Sequence, residues 1–306
     1  MVAPSGEQFE IRGGGYRAVV TECGAGLRLL EHDERPVLAG FAVDEHATGG
    51  RGQLLLPWPN RVAGAAYSFG GRDLQLPVTE HETGNAIHGL TRWSPWTLEE
   101  LAPGSVSLVH RLMAQPGYPW TVDLHVVYDL SADGLTATVT ATNLSAEPAP
   151  YAQGAHPYLT VGDEGVEGWE LTLPADTRLR VDERGIPTGL EQVEGSDMDF
   201  RISRPIRGAV LDTCFTDLTR TEDGRATVTL RNPAADRAVA VWMDRAHEWV
   251  QVFTGDTLAT GARRSVALEP MTAPPNAFGS GEGLVELGAA GEPGDEHSSS
   301  WGIHTG

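Results

Sequence analysis

Thr121-Val122-Asp123-Leu124-His125-Val126-Val127-Tyr128-Asp129-Leu130, the turn Ser131-Ala132-Asp133-Gly134, and Leu135-Thr136-Ala137-Thr138-Val139-Thr140-Ala141-Thr142 decide the fold class. In the first run Val122, Leu124, Val126, Tyr128 and Leu130 face one way, while Asp123, His125 and Asp129 face the other. In the second, Leu135, Ala137, Val139 and Ala141 alternate with four threonines. A period of two marks a strand with one face on a core and one on water, and two such runs around a short turn read as an antiparallel hairpin. Shorter runs of the same kind occur at 16–22, 106–113, 169–173, 226–231, 238–243 and 265–269. Between them lie 37 glycines and 20 prolines, and no long stretch carries a helical period. Many short strands with frequent turn signals predict an all-β protein, a sandwich or barrel rather than alternating β-α units.

The 306 residues are enough for a large antiparallel β-sandwich formed as one domain over residues 1–290. Residues 291–306 open with Gly291-Glu292-Pro293-Gly294-Asp295-Glu296-His297-Ser298-Ser299-Ser300, and that polarity predicts a mobile tail. The formal charge of −20 disfavours nucleic acid, an anionic membrane surface or a strongly anionic ligand. A neutral sugar fits it best. Cys23 and Cys214 are too few for a disulfide framework and read as buried free thiols. No apolar run is long enough to cross a bilayer, and residues 1–7 lack the basic and apolar regions of a secretory signal, which predicts a cytoplasmic protein. There is no CxxC, HExxH or phosphate-binding glycine loop, so no metal and no nucleotide or redox cofactor is expected.

Five segments carry candidate chemistry. His88 lies in Asn85-Ala86-Ile87-His88-Gly89 and His156 in Gly154-Ala155-His156-Pro157-Tyr158. Arg61 ends Pro57-Trp58-Pro59-Asn60-Arg61, Asp212 lies in Leu211-Asp212-Thr213-Cys214-Phe215, and Glu269 in Leu268-Glu269-Pro270-Met271-Thr272. Two imidazoles, a guanidinium and two carboxylates suit proton transfer on a polyhydroxylated substrate, since imidazole titrates nearest neutrality. Each residue also has a plain structural reading: a capping turn histidine, a solvated arginine, a turn aspartate, a strand-end glutamate. Pro270 is expected to stop the strand and leave Glu269 at its mouth. Gln251 and Trp242 are candidates to line the same pocket, Trp242 equally for the core.

Taken together and in this order, the five segments resemble those of the aldose 1-epimerases, or sugar mutarotases, over roughly residues 13–278. The string Glu269-Pro270-Met271-Thr272-Ala273-Pro274-Pro275-Asn276-Ala277-Phe278 is the most similar part. The resemblance implies a galactose mutarotase-like supersandwich and the interconversion of α and β anomers of a free hexose such as glucose or galactose. It implies Glu269 as general base and His156 as general acid, with His88, Arg61, Asp212 and Gln251 on the sugar. This reading needs His156 protonated while Glu269 is ionised, each charge favouring the other. The implied partner is a small-molecule sugar, with the protein a monomer or homodimer. Other readings stay open. Arg92, Trp93 and Trp96 after the first histidine, and Pro-Tyr-Leu after the second, depart from the galactose enzymes. A hexose-6-phosphate 1-epimerase would use Arg61, Arg92 or another arginine for the phosphate. A non-catalytic carbohydrate-binding protein would share the fold. A glycoside hydrolase pairing Asp212 with Glu269 would leave both histidines without a task.

Overall fold

The hairpin that opens the sequence argument forms the strands Val122–Ser131 and Gly134–Asn143, with Leu124 opposite Ala141, Val126 opposite Val139 and Tyr128 opposite Ala137. Their inward side chains are buried and the intervening ones partly exposed, as the period of two requires. The computed structural model describes residues 2–306, so Met1, the first residue of the expected domain, lies outside the described residues.

Two large antiparallel sheets make the architecture, and the chain is an all-β sandwich. One has nine strands in the order Thr97–Ala102, Ser105–Leu112, Val122–Ser131, Gly134–Asn143, Glu296–Thr305, Arg237–Met243, Ala226–Asn232, Glu170–Thr172, Arg204–Pro205. The other has eight, counting a short side strand: Pro187–Gln192, Ala175–Val181, Asp212–Leu218, Trp249–Phe253, Val266–Met271, Gly154–Ala155, Leu54–Leu55, with Tyr158–Leu159 also paired to Val266–Met271. A four-stranded sheet from Gln8–Gly13 to Arg35–Pro36 adds an N-terminal layer. Val126, Val139, Val241 and Ile303 of the first large sheet share one core cluster with Val250, Val252, Val266 and Leu268 of the second. The inner face of the smaller sheet is thus spent on the core, and its alternate residues are left to face outward.

The C-terminal segment corrects the expectation of a mobile tail. Glu296–Thr305 is a strand in the interior of the nine-stranded sheet, pairing with Gly134–Asn143 on one side and Arg237–Met243 on the other. Trp301 and Ile303 enter the core, while Ser298 and Ser300 face outward and hydrogen-bond Thr140 and Thr138 at 2.9 and 2.8 Å. Its third inward residue is Ser299, which bonds Gln153 and lies 3.4 Å from His247 Nε2. A polar residue on the core face and serines on the other hid the alternation. Cys214 is buried and Cys23 half-buried, both as free thiols. Among the described residues no helix is long and apolar enough to cross a membrane.

A strand this central predicts that Trp301→Ala costs about 3–5 kcal/mol of stability, whereas Thr140→Ala changes it by about 0.5 kcal/mol or less. Urea unfolding of the two variants checks this. Equal, small effects would mean the strand is dispensable.

Candidate active site

Cross-strand register builds the site. Gln251 is opposite Glu269, Cys214 opposite Gln251, and Asp212 lies two residues along from Cys214, so Asp212, Gln251 and Glu269 share the outward face of the smaller sheet. On the next strand pair, Tyr158 lies opposite Ala267, two residues from Glu269, and His156 is two residues from Tyr158. Period-two alternation therefore carries both candidate proton-transfer residues to the floor of one cleft of about 740 Å³. Arg61, His88, His156, Asp212, Gln251 and Glu269 all line it.

Pro270 does not end the strand. Val266–Met271 runs through it, with Pro270 opposite Val250 and Met271 opposite Trp249 and Gly154, so Glu269 is held mid-strand between paired neighbours rather than at a mouth. The proline nitrogen carries no N–H to donate, and the pairs that flank it keep the strand in place. Nor does Trp242 reach the cleft. It belongs to the nine-stranded sheet, beneath the Arg225 guanidinium at 4.2 Å, and lines a separate hollow that shares no residue with the cleft.

His156 Nε2 lies 3.2 Å from Glu269 Oε1, with only 6% and 3% of the two side chains exposed. Burial lowers the His156 imidazole to about 3, against a small opposing effect of its own backbone, and the Arg92 guanidinium pushes the same way. Burial lifts Glu269 well above the usual carboxylate range; the Asp212 charge adds to this, and Arg61 pulls the other way. The resting pair therefore holds its proton on the carboxyl with a neutral imidazole. This reverses the expected charge distribution, because desolvation of two ions outweighs their mutual attraction. Glu269 Oε2, His156 Nδ1 and Gln251 Oε1 are buried without hydrogen-bond partners among the described residues. Such groups are costly to leave unpaired, and all three residues line the cleft.

Reciprocal backbone bonds position His88. The Asn60 amide donates to His88 Nδ1 at 3.2 Å, and the His88 amide donates to the Asn60 carbonyl at 2.9 Å. Nδ1 is an acceptor, so the neutral ring carries its proton on Nε2 and offers a donor. Burial, Arg92, His156 and Arg61 all hold this ring well below its ordinary value, which keeps it neutral. Asn60 and His88 both adopt left-handed backbone angles (φ 52° and 62°), a strain that these bonds sustain. Gly89 completes the turn: a Cβ there would lie 2.0 Å from the Leu56 carbonyl oxygen.

Arg61 is gripped by Glu80, with Nε and Nη2 donating at 2.9 and 2.8 Å. Glu80 in turn accepts from Thr83 and Asn85. Sequence reading missed Glu80, since an acidic residue in the polar run 79–85 carries no pattern. Asn276 accepts from the Ala63 amide at 3.0 Å and donates its own amide to the Arg61 carbonyl at 2.6 Å, while Phe278 packs on Trp58. The Asn-Ala-Phe end of the glutamate motif is thus a brace for the Pro-Asn-Arg segment. Asp212 is exposed at the rim and accepts from Gln251 Nε2 at 2.5 Å. Among the described residues no cluster of three His, Cys, Asp or Glu side chains is arranged to hold a metal ion.

The chain is similar to known proteins over most of its length. A family model described as aldose 1-epimerase matches residues 7–303. The chain is 35% identical over 290 residues to the uncharacterised protein YihR of Escherichia coli K12, covering 94% of this chain and 91% of that one. It is 28% identical to an aldose 1-epimerase of Haemophilus influenzae, covering 74% and 70% of the two chains. It is 26% identical to the galactose mutarotase of Mus musculus, covering 83% and 80%. In fold it is similar to the GalM/aldose epimerase homologue of C. elegans, with a TM-score of 0.86 at 18% identity over 98% of each chain. A galactose mutarotase-like protein of Clostridium acetobutylicum gives 0.84 at 18% identity over 97% and 94%.

The His156 ring is closely walled by Gly50, whose φ is +80° and where an added Cβ would lie 2.6 Å from His156 Cδ2. In Gly50→Ala the imidazole must retreat by roughly 1 Å to regain ordinary contact. A crystal structure of that variant with Nε2 still within hydrogen-bond distance of Glu269 would refute the packing argument.

Proposed function

The chain belongs to the aldose 1-epimerase family, and we propose that it interconverts the α and β anomers of a free hexose such as glucose or galactose. The observation that carries this reading is the buried His156–Glu269 contact at 3.2 Å on the floor of a cleft lined with hydroxyl-binding groups. Glu269, as carboxylate, takes the proton of the C1 hydroxyl while the His156 imidazolium delivers one to the ring oxygen. The C1–O5 electron pair moves to O5 as the C1 carbonyl forms. After rotation about C1–C2, the O5 hydroxyl attacks the other face of the carbonyl. Its proton returns to His156, and Glu269 returns one to O1. Nothing is consumed, and each positioned group supplies about 10²–10⁴-fold.

The resting proton distribution agrees with this cycle. Both the resting pair and the reactive pair hold one proton. A sugar hydroxyl donating to Glu269 Oε2 supplies the hydrogen bond the carboxylate lacks, so substrate binding favours moving the proton to His156. His88, through Nε2–H, meets the ring oxygen or a neighbouring hydroxyl. Arg61, Asp212 and Gln251 hold hydroxyls across the ring, where a guanidinium fork and a carboxylate complement donors and acceptors.

A second reading, a hexose-6-phosphate as substrate, is favoured by one feature. Arg92 lines the cleft, and among the described residues its guanidinium has no carboxylate within 4.0 Å; it donates only to the Ile87 carbonyl, at 3.3 Å. Polarimetry on freshly dissolved α-glucose, α-galactose and α-glucose 6-phosphate separates the readings, and a non-catalytic binder would leave all three relaxation rates unchanged.

Two outcomes test the assignment. Glu269→Gln lowers kcat by about 10²–10⁴-fold with sugar binding retained; near-parental turnover would sink it. Because folding raises the Glu269 value above its ordinary 4.5, the ionised carboxyl costs stability increasingly as pH rises past that point. The variant should therefore gain Tm over the parent, more at pH 8 than at pH 5. The rate should also follow the singly protonated pair as a whole. With burial holding His156 near 3 and lifting Glu269, the acid limb falls far below the usual imidazole range. Activity at pH 5 should stay within about twofold of that at pH 7. A steep fall centred near pH 6.5 would contradict this.

A further inference from the structure

The imidazole of His156 is closely packed. Gly50 closes one side, and the ring of Tyr158 lies against it with centroids 4.9 Å apart and planes 16° from parallel. Tyr158 is only 1% exposed. Its hydroxyl donates to the Gly49 carbonyl at 2.7 Å, and Phe253 meets its ring edge-on at 6.3 Å. The tyrosine is thus anchored at its far end to the same Gly49-Gly50 segment that walls the histidine. The Gly52 amide donates to the His156 carbonyl at 2.9 Å and the His156 amide to the Gln53 carbonyl at 3.0 Å, so the stack is held as a unit.

Delivering a proton to the sugar requires the charged imidazolium in a place where almost everything opposes it. Water is excluded from it. The groups facing it are Glu269 at 3.2 Å, the His88 ring at 5.4 Å between centroids, and the Arg92 guanidinium, which repels a second cation. Arg61 and Asp212 act on Glu269 from the other side, with opposite signs, and the Arg51 guanidinium lies 5.7 Å from the Tyr158 centroid. Glu269 attracts the imidazolium only while ionised, and it gives up that charge as it takes the C1 proton. An aromatic face is a permanent partner for a cation, because its quadrupole neither titrates nor moves.

Resting on the reading of His156 as the acid, we propose that Tyr158 is a positioning residue for catalysis, whose π face orients the imidazole and stabilises the imidazolium that protonates the ring oxygen. The stacking centroid distance lies inside the range over which such attraction acts. The hydroxyl serves only to hold the ring flat against the histidine.

The test replaces the face without replacing the shape. Tyr158→Phe keeps the π face but loses the anchoring hydroxyl, and its kcat should remain about tenfold above that of Tyr158→Leu. Trifluorophenylalanine at position 158 keeps the shape but strips the quadrupole. It should lower kcat by about tenfold and move the acid limb to lower pH by about one unit, with KM and the alkaline limb unchanged. Tyr158→Leu should be at least as impaired. If the fluorinated variant matches Tyr158→Phe in kcat and acid limb, or if Tyr158→Phe is as poor as Tyr158→Leu, the proposal is overturned. Parental mutarotation by His156→Asn would instead remove the acid reading on which the stacking depends.

Discussion

A carboxyl and an imidazole in contact, both shut away from water, cannot rest as a free ion pair. That constraint on His156 and Glu269 orders much of what surrounds them. Burial raises Glu269 and lowers His156, which favours a protonated carboxyl beside a neutral imidazole. Glu269 Oε2, buried and unpaired in a residue that lines the cleft, is an acceptor that a ligand hydroxyl would satisfy. On the proposed reading, reactivity is latent in the solvation of the pair, and a sugar would supply the hydrogen bonds that redistribute the proton.

The rest of the scaffold resists movement around that contact. Glu269 sits within a strand paired on both sides, and Gln251 lies directly across from it. His156 is carried by a segment whose preceding residue but two, Gln153, bonds Ser299 of the C-terminal strand and accepts from Tyr151 at 2.8 Å. Ser299 neighbours His247, whose Nδ1 is 2.9 Å from Asp244. His247 and Ser299 of this Asp-His-Ser arrangement are buried, while Asp244 is one-third exposed. The arrangement satisfies polar groups inside the core and ties the last strand to the loop beneath the cleft.

Backbone strain recurs in the loops that meet around the cleft. Asn60, His88 and Asn276 all hold positive φ, and each is fixed by hydrogen bonds to another member of the same group of loops. The Asn-Ala-Phe stretch that follows the glutamate motif clamps the arginine segment, so two motifs more than 200 residues apart are one mechanical unit. Segments that look separate along the chain are each other's support in space.

How much of this was legible depends on the range of the interaction. Alternation along 122–130 and 135–142 determined an antiparallel hairpin by itself, because side-chain direction in a strand is a local property with a period of two. The order and identity of five short motifs determined the family and the six residues that gather in the cleft. Other features rested on partners the chain cannot announce locally. Residues 291–306 read as a tail because the hydroxyl-rich outer face and Ser299 conceal the pattern; only pairing with strands on both sides makes 296–305 interior. Glu80 became the partner of Arg61, Pro270 became part of a ladder, and Trp242 went to the other sheet, each through neighbours distant in sequence. The protonation of His156 and Glu269 was likewise decided by the tertiary structure alone. Desolvation is set by how completely other strands and loops enclose a group, and the residue types give no measure of that.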